Sequence, residues 1–464
     1  AMYEGKDGSN GTIVGNSAGQ YLQGIGATYI GDQAGRFATG SYNTFVGGSA
    51  GRGPNSAPYG SGGFNTAMGY QALDAFTTGY QNVAVGYQAA TDLTTAYYGT
   101  YIGMYAGQNV TTGNTNTFIG WQSGNAVTDT SNKVAVGYRA GYADGGEMDV
   151  HIGYEAGRNV TAGDNISIGR SAGQGYHGVG QTEFQSNTTN RYNVSIGSYA
   201  GQRAIGTNSV NVGYTAGWYA TGSNNTFLGS AAGKGGNSSA PFSSGQNNVA
   251  VGAQTLQNFT TADSNVVVGY NSGNDITTGG QNTILGYDAG DVITTGISNV
   301  LVGYAAGGNL TSDSSQNVII GESAGAQGSV ALDGTILIGR LAGYAINSSD
   351  ADGTIAIGYS AGQNITSGQR QTFIGYQAGY SSTTGDENVF IGYQAGYSET
   401  DGIGNIYIGK QVAYNIGDGN YNVAIGEEAM KSTGTAANNH ANYNVAIGNQ
   451  AGYGLTTGDY NVFL

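Results

Sequence analysis

The chain reads as an all-β solenoid, a parallel β-roll with about one 16–17 residue coil per repeat, and three observations predict it. One phrase, Asn-Val-Ala-Ile-Gly-Tyr-Gln-Ala-Gly with its variants, recurs from end to end. Taking the glycine after the aliphatic pair as a centre gives 25 copies, from Gly15 to Gly448. Of the 24 intervals between centres, 17 are 16 or 17 residues and three more are 18 or 19. A period so short and regular has room for one turn of a solenoid and little else. Composition agrees: 86 glycines, 3 prolines and 9% charged residues in 464 describe neither an ordinary globular enzyme nor a linker, and no three-residue glycine period suggests collagen.

Each part of the coil follows from the repeat. Three and one residues before the centre stand Val, Ile or Thr and then Ile, Val, Leu or Met, as in Val83/Val85, Thr117/Ile119, Val249/Val251 and Val389/Ile391. Such alternation predicts a strand with those two side chains on one buried face. The intervening position is often apolar too (Phe45, Ala84, Phe118, Val267, Leu301, Ile319, Phe390). A strand apolar on both faces is expected to be covered on both, and in a thin solenoid the second cover must come from another chain. The expected partner is therefore the chain itself, as a homotrimer or a filament. Three residues after the centre the side chain is small (Ala18, Ala34, Ala89, Ala106, Ser123, Ala156, Ala289, Ala378, Ala451), and a second glycine usually follows, which lets backbone layers turn and approach. Seven after the centre an aliphatic residue or Phe returns (Phe76, Leu93, Val110, Val160, Ile276, Leu455), then Thr-Thr-Gly or a relative. This predicts a short second strand and its turn. Coils spaced by about 4.8 Å would make an array on the order of 120 Å long.

Two columns are expected along that axis. Asn stands four residues before most centres, for example at Asn65, Asn82, Asn265, Asn282 and Asn299, where stacked amides would bond coil to coil. Tyr or Trp often follows the centre: Tyr70, Tyr87, Trp121, Tyr138, Tyr154, Tyr214, Tyr270, Tyr287, Tyr304, Tyr359, Tyr376 and Tyr393. That column is the leading candidate for glycan contact, since exposed aromatic stripes bind sugars by stacking. The competing reading is a structural ladder.

The ten centres from Gly15 to Gly169 recur as the ten from Gly197 to Gly358. The predicted organisation is a first block of ten coils over 1–182, a duplicated block over 183–364, and further coils of the same array over 365–464, expected to continue beyond Leu464. Four long intervals (47–69, 169–197, 229–252, 426–448) hold the three prolines and would project as loops. Their Tyr59, Phe64, Tyr176, His177, Phe184 and Phe242 are the second set of candidate receptor contacts.

A net charge of -15, scattered without a basic patch, argues against nucleic acid and anionic membranes as partners. No apolar run is long enough for a bilayer-spanning helix. Cysteine is absent, so no disulfide or thiolate site holds the fold. The three histidines, His151, His177 and His440, are too scattered to suggest a metal and read as core or solvated residues. Pairs such as Gly163-Asp164 and Asp418-Gly419 read as turns rather than calcium sites. No nucleophile elbow, Walker lysine or distinctive carboxylate pair stands out, so no enzyme, catalytic residue, metal or cofactor is expected.

The Ser/Asn-Val-Ala-Ile-Gly phrase resembles the head repeats of YadA-type trimeric autotransporter adhesins. The fuller Asn-Val-Ala-Ile-Gly-Tyr-Gln-Ala-Gly with Thr-Thr-Gly, as in 388–397 or 444–458, looks still more like glycine-rich repeats of phage tail-fibre and bacterial surface proteins. The likeness runs through essentially the whole chain. It implies a parallel β-roll of three associated chains, an extracellular, cell-surface or virion location, and in many such proteins a self-cleaving chaperone at the C-terminus. The period here is longer than the adhesin coil, and no stalk, anchor or chaperone is present to compare. The expected function is that of a structural fibre segment of a phage tail fibre or bacterial adhesin, presenting loops or the aromatic stripe to a cell-surface glycan or receptor. A filament subunit stacking end to end is the alternative, and an ice-binding solenoid comes third.

Overall fold

A computed structural model describes residues 10–175, 191–236, 242–311, 313–436 and 439–464. It is a parallel β-solenoid in two compact units, Ala1–Asn225 and Thr226–Leu464. The first unit holds twelve described strands, from β1 (Thr12–Val14) to β12 (Val210–Val212). The second holds fourteen, from β13 (Thr226–Leu228) to β26 (Val462–Phe463). Within each unit every strand pairs in parallel with the next in sequence and in register, so Val83 lies beside Thr100 and Val85 beside Ile102. The same holds for Thr283 beside Val300 and Leu285 beside Val302. Helical backbone is confined among the described residues to short 3-10 turns, such as Ser349–Ala351. No helix among them is long and apolar enough to cross a membrane.

The strands turn the opposite way from the sequence-based expectation. The intervening residue, not the flanking pair, faces the interior: Phe45, Ala84, Tyr101, Phe118, Phe227, Val267, Phe390 and Tyr407 are all buried. The flanking side chains point outward and are half-buried or exposed, as at Met68, Ile102, Leu228 and Leu285. The reason is lateral room. A coil this thin admits one side chain per strand, stacked under its counterpart in the next coil and joined by the small residue three after the centre. Ala89, Ala106, Ser123, Ala289 and Ala378 are indeed buried.

Among the described residues the predicted second strand does not form, beyond isolated bridges such as Leu310 to Val330. The residue seven after the centre is buried, as at Leu93, Val110, Ile276 and Ile365, but it lies in irregular backbone. Coil-to-coil hydrogen bonding continues through this arc all the same. Gln88 N donates to Tyr70 O at 2.9 Å, Ala90 N to Ala106 O at 2.9 Å and Thr94 N to Thr111 O at 2.9 Å. An arc already bonded above and below has its backbone groups satisfied without extended geometry. It also holds non-glycine residues in the left-handed region, such as Gln88 (φ 52°) and Ala90 (φ 49°). The centre itself requires glycine. Gly303 has φ +136°, and a Cβ there would lie 2.7 Å from the carbonyl oxygen of Gly321 in the following coil.

The asparagine column forms as expected and is buried. Asn282 N and Nδ2 both donate to Asn265 Oδ1 at 3.0 Å, and Asn282 Nδ2 also donates to Gly296 O at 2.9 Å. Asn299 repeats the pattern on Asn282. Each amide thus satisfies a backbone donor of the next coil and a carbonyl of the turn, without exposing either to water.

Candidate functional site

The aromatic column after the centres is stacked ring on ring. Trp121–Tyr138 and Tyr138–Tyr154 have centroids 4.8 Å apart with planes 16° and 4° from parallel. Tyr270–Tyr287–Tyr304 stack at 5.2 and 5.4 Å, and Tyr359–Tyr376–Tyr393 at 5.3 Å twice. Tyr70 and Tyr87 pair at 5.5 Å. Tyr214 meets Tyr199 edge-on. Rings within a run have their faces covered by each other, so solvent meets edges and hydroxyls. The strand-to-strand repeat of about 4.8 Å sets this spacing. Where the aromatic run ends in the second unit, charge takes over: Arg340 reaches both Glu322 (3.2 Å) and the hydroxyl of Tyr359 (3.1 Å), and Lys410 pairs with Glu427 (2.7 Å).

Of the loop candidates, Tyr59 folds back onto Tyr21 (5.1 Å) and Phe37 (5.7 Å), and exposed Phe64 stacks on Tyr42 (5.0 Å). Phe242 is half-buried. Tyr176, His177 and Phe184 lie outside the described residues. The threonines behind the ice-binding reading donate their hydroxyls to the next coil: Thr77 to Thr94 O, Thr94 to Thr111 O and Thr277 to Thr294 O, at 3.0, 3.0 and 3.2 Å.

Further aromatic ladders escaped the sequence reading. Tyr380–Tyr397–Tyr414 stack at 5.1 and 5.0 Å, and Tyr421–Tyr443–Tyr460 at 5.3 and 5.0 Å. The signal was available, since Tyr380, Tyr397 and Tyr414 stand five residues after their centres, and Tyr421 and Tyr443 five before theirs.

A buried charge cluster was missed as well. Lys133 and Asp149 occupy the asparagine column in successive coils, His151 the inward strand position, and Asp144 the column seven after the centre. All four are at most 2% exposed. Lys133 Nζ lies 2.9 Å from Asp144 Oδ2 and donates to Asp144 O at 2.6 Å, while His151 Nε2 lies 3.1 Å from the same Oδ2. Gly146 N donates to Asp144 Oδ1 at 3.0 Å. Burial works to raise the Asp144 pKa, but the neighbouring Lys133 and His151 outweigh it and hold the carboxyl below its ordinary range. Asp149 has no such counterion to itself. Burial, and then the charge of Asp144, push it up to about 8. Its Oδ1 accepts from Asn165 N at 2.8 Å, and Oδ2 has no hydrogen-bond partner.

Asp144, Asp149 and His151 present donor atoms within 4.8 Å of one another, a set of the kind that ligates divalent cations. Here the lysine ammonium already supplies the positive charge at Asp144. His151 turns its Nε2 to that carboxylate, and Nδ1, on the other edge of the ring, is without a partner. Lys133 and Asp144 form an internal ion pair beside the raised Asp149, and His151 lies in the core, one of the two places the sequence reading allowed it. The cluster abuts a surface hollow of about 200 Å³ lined by Val127, Thr128, Thr130, Asp144 and Thr161.

No protein-family model matches the chain, and no curated protein matches it.

Proposed function

We propose that this chain is a structural, non-enzymatic fibre segment of a phage tail fibre or bacterial surface adhesin, acting outside the cell as a self-associated assembly, with trimer as the expected form. The observation that carries this is the outward face of the strands. Across all described strands the first position is Thr, Val or Ile, and wherever a third position is present it is Val, Ile, Leu or Met. Over the described strands the face therefore carries no charge, in a chain of net charge -15. Selection for solubility alone would scatter Lys, Glu or Asp over so regular a surface.

Its size suits a subunit contact. A strand about 10 Å wide repeated every 4.8 Å gives, for twelve strands, about 600 Å² per partner, or about 1,200 Å² in total, within the range of specific interfaces. Attachment to a cell-surface glycan or receptor would then fall to the projecting loops and to the hydroxyl edges of the tyrosine ladders. Ring faces inside the ladders are taken, so sugar recognition there would rest on hydrogen bonds and not on stacking.

Light scattering tests the assembly. A discrete mass near three times 47.1 kDa is expected, falling to the single-chain mass when Leu285→Lys and Val302→Lys place charge on the outward face. Long filaments of uniform width would favour end-to-end stacking instead. A stable wild-type monomer would overturn self-association. Binding of the assembly to an array of surface glycans tests attachment separately.

A further inference from the structure

The tyrosine ladders bring reactive rings together in a way that neither attachment nor coil stacking requires. In the second unit, Tyr421, Tyr443 and Tyr460 stand on successive coils, are 51%, 48% and 76% exposed, and stack at 5.3 and 5.0 Å with planes 18° and 1° from parallel. Tyr359, Tyr376 and Tyr393 do the same, at 41%, 44% and 46% exposure. Faces are covered by the neighbouring ring, while the hydroxyl and the ortho carbons beside it reach the solvent edge.

We propose that these ladders are sites of oxidative tyrosine–tyrosine coupling, in which a one-electron oxidant joins stacked rings of adjacent coils into dityrosine staples. Each phenol gives one electron to the oxidant and its hydroxyl proton to water, leaving a phenoxyl radical. The two radicals pair to form one carbon–carbon bond between ortho positions. Each ring then loses its ortho hydrogen as a proton while its oxygen regains one, restoring the phenols. The net change is loss of two electrons and two protons, both electrons going to the oxidant.

Three features favour this route. Coupling needs two radicals close together before either is quenched, and the stack holds the second ring in place at a very high effective concentration. The chain has 35 tyrosines and no cysteine, so no thiol within it intercepts the radical. The staple also crosses between coils that are otherwise joined only by hydrogen bonds and packing, so it would restrain the unzipping by which a solenoid unfolds.

The test is brief illumination of dilute full-length protein with a ruthenium–tris(bipyridyl) and persulfate photo-oxidant, followed by proteolysis and mass spectrometry of cross-linked peptides. Links 421–443, 443–460, 359–376 and 376–393, each lighter by two hydrogens, should exceed links to Tyr453 by roughly tenfold or more. Tyr453 is the internal control, being 48% exposed but in no stack. Tyr443→Phe keeps an aromatic ring in the stack. It should abolish both of its own links and leave those of Tyr359, Tyr376 and Tyr393 unchanged. The proposal is overturned if Tyr453 couples as readily as the ladder tyrosines. It is equally overturned if the same link pattern and yield appear in urea-unfolded chain, or if links between chains dominate.

Discussion

Asp144 in the first unit and Glu399 in the second occupy the same column, seven residues after a centre, where other coils bury an aliphatic side chain. Each faces the inward strand residue of the following coil: His151 at 3.1 Å from Asp144, and Tyr407, whose hydroxyl donates to Glu399 Oε2 at 3.3 Å. Their pKa shifts run in opposite directions. Asp144 is held below its ordinary range because Lys133 from the asparagine column reaches it. Among the described residues no cation reaches Glu399, and burial pushes its pKa well above the ordinary range, with Asp418 adding to the effect against the tyrosine hydrogen bond. Glu399 Oε1 has no partner. The same buried position thus has its pKa lowered in one coil and raised in another, and the residue one column away decides which. A charge inside so narrow a core is tolerated only when the next column answers it.

Removing that answer should have the largest effect. Lys133→Met leaves Asp144 buried without its counterion. It should weaken local coil stability by about 3–5 kcal/mol, seen as faster hydrogen exchange at the amides of Val150 and Gly153. The double variant with Asp144→Leu, which restores an aliphatic column, should recover most of the loss. Failure to recover would mean that the lysine matters for packing and not for charge.

The pH dependence should be next, and it runs the same way in both regions. Asp149 has a folded pKa of about 8 against an ordinary value near 3.9, so the folded state holds the proton more tightly. The stability it contributes is fully present below about pH 4 and is lost as pH rises through about 8. Glu399, also raised, adds a loss of the same sign in the second unit. Urea midpoints should therefore fall from pH 4 to pH 9, contrary to the acid sensitivity of proteins rich in paired carboxylates.

Asp149→Asn separates the two regions. It puts the usual residue of the column in place and should flatten the pH response of the first unit only, with a gain on the order of 1 kcal/mol at pH 9. Glu399→Gln should be the mildest change. Burial holds the Glu399 pKa well above its ordinary range, and Gln keeps the shape of the acid without its titration, so a shift within about 0.5 kcal/mol is expected. A large loss in that variant would show that Glu399 is ionised and paired in a way its surroundings do not suggest.

Much of this molecule was legible in the repeat. The spacing of the centres located every described strand but the last, and the asparagines four residues earlier proved to be the buried ladder. The tyrosines after the centre proved to be stacked in runs. The orientation of the strand was not legible, because Val83, Ala84 and Val85 are all apolar, and alternation between apolar residues names no inside. Nor was the second arc: Leu93-Thr94-Thr95 has the composition of a strand, yet its backbone groups already find partners in the next coil along a turn. The charge cluster lay in plain view as Lys133, Asp149 and His151, three departures from the repeat in two successive coils. Its meaning depended on Asp144, which sits eleven residues from Lys133 along the chain and 2.9 Å from it in space.

What the sequence by itself determined is the coil, its period and its columns, because a residue's place in a solenoid follows from its distance to the nearest centre. What only the tertiary structure decided is which side of each column meets water and which columns meet each other. Those outcomes depend on how little room the interior leaves beside a strand, and no residue carries that information alone.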